Sequence, residues 1–195
     1  MTCVRTERVG FAVCGSFCTH ERVLEALERL TEIYETVIPI ASENSAFMDT
    51  RFGSSEDLLD RMEELTGREV LYDIPSVEPI GPKKLLDVLV IAPATGNTIA
   101  KLAAGITDTT VTMAAKAHLR NGGPVVIAMA SNDGLAAGAR NIGELLVRKN
   151  YYFVPFGQDN ALAKPGSLVA NFGLLSDTVD AALQGRQIQP ILLRS

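Results

Sequence analysis

Four short polar turns carry the residues whose types suit ligand chemistry. The first is Gly15-Ser16-Phe17-Cys18-Thr19. A glycine permits a tight turn and close backbone approach. Where such a turn opens a helix, free N–H groups and a partial positive charge suit a phosphate, and Ser16 adds a hydroxyl donor. A plain strand-to-helix turn is the competing reading. The stretch lacks the GxGxxG fingerprint, which argues against a standard NAD site. In Ala41-Ser42-Glu43-Asn44-Ser45, Ser42 is placed to reach the same phosphate, although Ser- and Asn-rich loops are common. Residues 92–103 (APATGNTIAKLA) form the most specific stretch. Pro93 stiffens it, and small Ala94 and Gly96 would let a flat ring approach the backbone. Thr95, Asn97 and Thr98 offer the donors and acceptors that an isoalloxazine or pyrimidine edge requires. In Ala130-Ser131-Asn132-Asp133-Gly134, Ser131 and Asn132 either line the far side of such a ring or cap a helix.

The remaining candidates stand alone. Arg51, in Thr50-Arg51-Phe52-Gly53, is a bidentate anchor for a substrate carboxylate or a solvated loop residue, and Lys164 has similar status. His20 and His118 fall within helical stretches and read as structural or solvated. Cys18, near a helix start, reads as an inert thiol. Cys14-x3-Cys18 with two distant histidines is not a metal set. No residue is assigned as a general base.

These turns follow apolar runs, which decides how they must be positioned. Short strands are expected over 8–14, 36–41, 85–92, 125–130 and 151–155, with Pro39 marking an edge or a bulge. Helices are expected over 19–34, from Ser54 or Ser55 to Gly67, and over 95–104, 109–119, 135–148 and 168–183. Segments 42–53, 73–82 and 157–166 read as loops. Alternating strands and helices imply a three-layer, doubly wound parallel α/β sheet. Right-handed crossovers then put every strand C-terminus on one edge, where such sheets bind ligands. The four polar turns all fall there.

Composition narrows the rest. The 195 residues suit one domain over 1–195, with 47% hydrophobic and 21% charged residues. A net charge of −5 argues against nucleic acid as the main partner. It leaves a phosphate-bearing cofactor open, because backbone N–H groups hold small anions. Three cysteines, Cys3, Cys14 and Cys18, are not a disulfide framework. Arg5, Glu7 and Arg8 interrupt any signal-like stretch, and the apolar run 85–94 is too short to span a bilayer. A cytoplasmic protein, not bound to membrane, is expected.

Residues 92–103, followed by Gly105-Ile106-Thr107-Asp108, resemble the signature of the flavin-dependent cysteine decarboxylase superfamily of flavoproteins. Gly15-Ser16 is similar to its phosphate turn. The resemblance implies a flavodoxin-like, Rossmann-like domain that binds FMN and assembles into homo-oligomers. Residues 50–53 (TRFG), 81–83 (GPK), 114–121 (AAKAHLRN), 154–159 (VPFGQD), 164–165 (KP) and 189–192 (QPIL) resemble one branch of it, the B subunits of two-subunit dipicolinate-forming enzymes. That branch implies sporulation, a dicarboxylate substrate at the dihydropyridine level, and a partner A subunit carrying NAD(P). Two features depart from the decarboxylases. Residues 78–82 (EPIGP) hold no histidine where a catalytic one is expected, and 130–133 (ASND) replaces a Pro-x-Met-Asn segment. An FMN-dependent decarboxylase, or a non-catalytic flavin- or nucleotide-binding assembly subunit, are the alternative functions.

Overall fold

The computed structural model describes residues 4–193. Cys3 lies outside them. The described residues form one sheet of seven strands: β1 (Arg5–Val13), β2 (Tyr34–Ala41), β3 (Val88–Ala94), β4 (Val125–Ser131), β5 (Tyr151–Phe153), β6 (Phe156–Asn160) and β7 (Lys164–Ala170). Among the described residues, eight helices connect and flank them: α1 (His20–Ile33), α2 (Glu43–Phe47), α3 (Ser55–Thr66), α4 (Ile74–Val77), α5 (Gly96–Ala104), α6 (Thr110–Leu119), α7 (Ala139–Leu146) and α8 (Leu175–Leu183).

The first five strands pair in parallel in the order β2-β1-β3-β4-β5. All seven residues of β3 are buried, as expected of a central strand covered on both faces. Strand order reverses between β1 and β3. The gap beyond their C-termini is therefore the topological switch point. β2 is an edge strand, so its Pro39 removes no ladder bond from a central position.

Several expectations change. The sheet is mixed rather than wholly parallel, because 157–166 is not a loop. β6 and β7 form an antiparallel hairpin, and β7 continues the C-terminal end of β4, pairing Val169 with Ala130 and Leu168 with Ser131. Leu168 therefore belongs to a strand, and the last helix starts at Leu175, after Asn171 accepts from the Gly173 N–H and turns the chain. The 135–148 helix is confined to Ala139–Leu146. Its expected first turn is held elsewhere, since the Leu135 N–H donates to the Gly166 carbonyl of β7. Segments 42–53 and 73–82 contain α2 and α4, started by Ser42 and Asp73, whose side chains accept from the Ser45 and Ser76 N–H groups. Among the described residues, no helix is long and apolar enough to cross a membrane.

Candidate functional site

A cavity of about 530 Å3 opens at the switch point, a size typical of small-molecule sites. Gly15, Ser42, Thr95, Asn97 and Thr98 line it, together with Cys14, Glu43, Asn44, Lys101, Asp108 and Thr109. The turns after β1, β2 and β3 thus converge on one space.

Three lining residues are helix caps. Ser42, Thr95 and Thr109 start α2, α5 and α6, and each side chain accepts from the N–H three residues on, at 3.3, 3.2 and 3.2 Å. A side-chain cap satisfies one of the orphan N–H groups of a helix start and leaves others for a ligand. α5 and α6 therefore both direct the positive ends of their dipoles at the cavity. The acidic side chains nearby are engaged. Glu43 Oε1 accepts from the Thr110 N–H at 2.8 Å. The Thr110 hydroxyl lies 2.9 Å from both that oxygen and the Tyr72 carbonyl, sharing its single proton. Asp108 pairs with Lys101 at 2.8 Å, and that ammonium holds its carboxyl below the usual range.

Gly15 bears on whether a ligand fits. Its φ is not left-handed, and a Cβ built there meets nothing closer than Phe17 at 3.7 Å and Thr95 at 3.9 Å. Neither conformation nor internal packing demands a glycine. The left-handed position is Ser16 (φ 85°), corrected from the sequence reading, which gave the tight turn to Gly15. The Ser16 hydroxyl donates to the Ala130 carbonyl at 2.8 Å, and its own carbonyl accepts from the Thr19 N–H and hydroxyl. These bonds offset the strain of roughly 1–3 kcal/mol that such backbone carries.

Gly96 has a different reason. A Cβ there would lie 2.8 Å from Ser131 Oγ and 3.1 Å from Asp133 Oδ1. Its smallness makes room for the turn after β4, and Ala94 is wholly buried, so neither opens a face to a ring. Pro93 is also buried. The Thr98 hydroxyl is occupied by Thr95 at 3.0 Å and by the Cys14 thiol at 3.4 Å, leaving exposed Asn97 as the free polar group of that turn. Ser131 bonds Asp133 at 2.6 Å, and Asn132 is exposed on the same sheet edge, outside the cavity lining.

Other candidates lie apart. Arg51 is exposed on a tight turn with its guanidinium 4.8 Å from the Phe52 ring centre, outside the cavity lining. Lys164 pairs with Asp159. Burial pushes the Cys14 thiol up to about 11, which keeps it protonated. The chain has two histidines. His118 is buried at the opposite end of α6, 3.1 Å from the Pro124 carbonyl, and His20 lies 2.9 Å from the Cys14 carbonyl. Neither lines the cavity. Segment 78–82 sits beside Ala117 and Asn121, at the far edge of the sheet. Its lack of a histidine therefore says nothing about the cavity. Further towards the N-terminus, the Tyr72 carbonyl accepts from the hydroxyl of Thr110, the residue after cavity-lining Thr109. The sequence reading missed Glu43, Asn44, Lys101, Asp108 and Thr109. For Thr109, Thr112 three residues on signals the capping box that the structure shows.

Residues 2–145 match the flavoprotein family, a span that contains the whole cavity lining. The chain belongs to that family. This flavoprotein is 43% identical over 195 residues to the B subunit of dipicolinate synthase of Bacillus subtilis (strain 168), covering 100% of this chain and 98% of that one. It superposes on the crystal structure of the dipicolinate synthase B subunit from Bacillus halodurans C with a TM-score of 0.89 and 44% identity, over 97% of each chain. The FMN-dependent cysteine decarboxylase SpaF (TM-score 0.68, 24% identity, 90% and 97% covered) shares the fold alone. So does Burkholderia xenovorans DmrB in complex with FMN (TM-score 0.66, 18% identity, 91% and 96% covered).

Proposed function

We propose that this flavoprotein is the flavin-binding B subunit of a dipicolinate synthase, acting in the cytoplasm of a sporulating cell with an A subunit that carries NAD(P). The observation that carries this reading is the 43% identity, spread over the whole chain rather than confined to the flavin turns. The cofactor is FMN. Gly15 and Ser42, with the backbone N–H of Ser16 and the first N–H groups of the helices that follow, would take its phosphate. Thr95, Asn97 and Thr98 would flank its ring, with Ser131 and Asn132 at the far side.

Converting a dihydropyridine dicarboxylate to dipicolinate removes two electrons and two protons. A bound flavin supplies a two-electron acceptor for such a step. The chain's own contribution is position and dryness. Thr95 and Thr98 fix each other, Glu43 locks α2 to α6, and buried β3 floors the crevice. Arg51 is the candidate for a substrate carboxylate, brought from the neighbouring turn. The chain acts as a homo-oligomer.

The cavity lining contains no histidine, which favours oxidation over a histidine-dependent cysteine decarboxylation. The test is an absorption spectrum of the purified protein with FMN, alone and with the A subunit, followed by synthase assay. Flavin bands retained on desalting, with activity requiring both subunits, are expected. A protein that takes up no flavin by calorimetry refutes the site. Release of CO2 from a phosphopantothenoylcysteine-type substrate would favour the decarboxylase reading. Full synthase activity after Asn97→Ala has abolished flavin retention would reduce the chain to a binding module.

A further inference from the structure

A second concavity, of about 560 Å3, lies between α1, α3 and the turn after α2, on the other side of α2 from the flavin cavity. Its apolar surface comes from Phe17, Leu24, Met48, Phe52 and Leu58. Met48 and Phe52 are 49% and 54% exposed. Beside them, Phe47 and Tyr72 stack edge to face at 5.6 Å while remaining 66% and 44% exposed. Single exposed apolar side chains are ordinary, but a contiguous group around a groove marks an interaction surface.

The rim of this groove is mainly acidic. Glu21, Glu25 and Glu28 line it from α1 and Asp57 from α3, against Arg61 and the Arg51 guanidinium stacked on Phe52. His20, the remaining titratable lining group, is partly buried with its pKa held below the usual value, and is neutral at pH 7. An apolar floor under an acidic rim complements a segment that carries aliphatic or aromatic side chains flanked by Lys or Arg.

Position adds a second argument. α2 is the common wall of groove and cavity. Ser45 lines the groove, and its hydroxyl lies 3.1 Å from that of Ser42, which lines the flavin cavity. Phe17 of the groove follows directly on Gly15-Ser16. An occupant of the groove therefore touches both turns that would hold the flavin phosphate.

We propose that this groove is the docking site for an apolar, Lys/Arg-flanked segment of the A subunit. The proposal rests on the B-subunit reading. Its test measures binding of purified A subunit to FMN-loaded protein by calorimetry, for the wild type, Met48→Ser/Phe52→Ser and Glu25→Lys/Glu28→Lys. All four substituted side chains lie at the surface or rim, so folding and flavin retention, read by melting curves and absorbance, should be unchanged. Each double variant should bind the A subunit at least tenfold more weakly, and wild-type affinity should fall as salt rises. Wild-type strength in both variants overturns the groove and leaves the B-subunit reading intact. Failure of the wild type to bind the A subunit overturns the B-subunit reading itself. If Met48→Ser/Phe52→Ser binds the A subunit normally but loses mass by light scattering, the occupant is a second copy of this chain, and the proposal is wrong.

Discussion

Two glycines of the crevice should respond in opposite ways to one added methyl group. At Gly15 the new Cβ meets ordinary contacts of 3.7 and 3.9 Å, and φ is one that alanine adopts. Gly→Ala at a compatible site stabilises by about 0.4–1 kcal/mol, because the unfolded chain loses freedom. For a chain of this size that raises Tm by roughly 1–4 °C. At Gly96 the same Cβ would sit 2.8 Å from Ser131 Oγ, and the Ser131–Asp133 bond must shift. Overpacking of this kind costs about 1–3 kcal/mol, so Tm should fall by several degrees. Flavin affinity separates the two further. If the ligand approaches the backbone at Gly15, the methyl occupies its space, and Gly15→Ala should bind FMN at least tenfold more weakly despite being more stable. Melting curves of the flavin-free proteins and titration of FMN fluorescence read both effects. Wild-type FMN binding in Gly15→Ala would remove the argument that an unneeded glycine marks the ligand's approach. A large drop in its Tm would show that the glycine is structural.

Glu43→Ala should cost about 1–3 kcal/mol in urea unfolding, because the N–H of buried Thr110 loses its acceptor; an unchanged midpoint would mean the α2–α6 tie is replaceable. Burial holds His20 and His118 below the ordinary 6.5. The unfolded chain therefore takes up protons first as pH falls, and stability present above about 6.5 should be lost below it. The two imidazole resonances should titrate below 6.5 by NMR, and a value above it for either contradicts the burial argument. Burial keeps the Cys14 thiol protonated while Cys18 is exposed. Peptide mapping after a brief thiol-reagent pulse should find Cys18 labelled and Cys14 labelled only in denaturant; rapid labelling of Cys14 in the folded protein would refute its burial.

The parallel part of the sheet was legible because its strands are apolar runs with nothing else to be. β3 is buried along its whole length, and such a run admits few readings. The hairpin was not legible, for a local reason. Gly157, Asp159, Asn160 and Pro165 are turn-forming types, while Leu168, Phe172, Leu175 and Val179 recur at helical spacing. Pairing with the end of β4 overrides both signals, and Leu168 is held there by packing against Gly134, where a Cβ would sit 2.9 Å from it. Long-range pairing of this kind leaves no periodicity to read. At the site, the residues after β1, β2 and β3 were recoverable because a doubly wound sheet fixes which turns can meet. Glu43, Lys101 and Asp108 were not, since their partners are up to 67 residues away along the chain.

Capping and ligand binding are not rival roles for Ser42 and Thr95. Each hydroxyl accepts from the third N–H of its helix. That bond fixes the helix start in place and leaves the earlier N–H groups aimed into the same space. The cap is thus what preorganises the remaining donors. The same logic explains how a chain of net charge −5 can suit an anion. Asp108 is paired with Lys101, and Glu43 is turned onto the Thr110 N–H at the start of α6. What faces the cavity is then set by the start of α5, equivalent to about half a positive charge, rather than by a lysine or arginine cluster. A site built this way draws its selectivity from the direction of fixed N–H bonds. It needs no basic patch, which is why overall charge gave no sign of it.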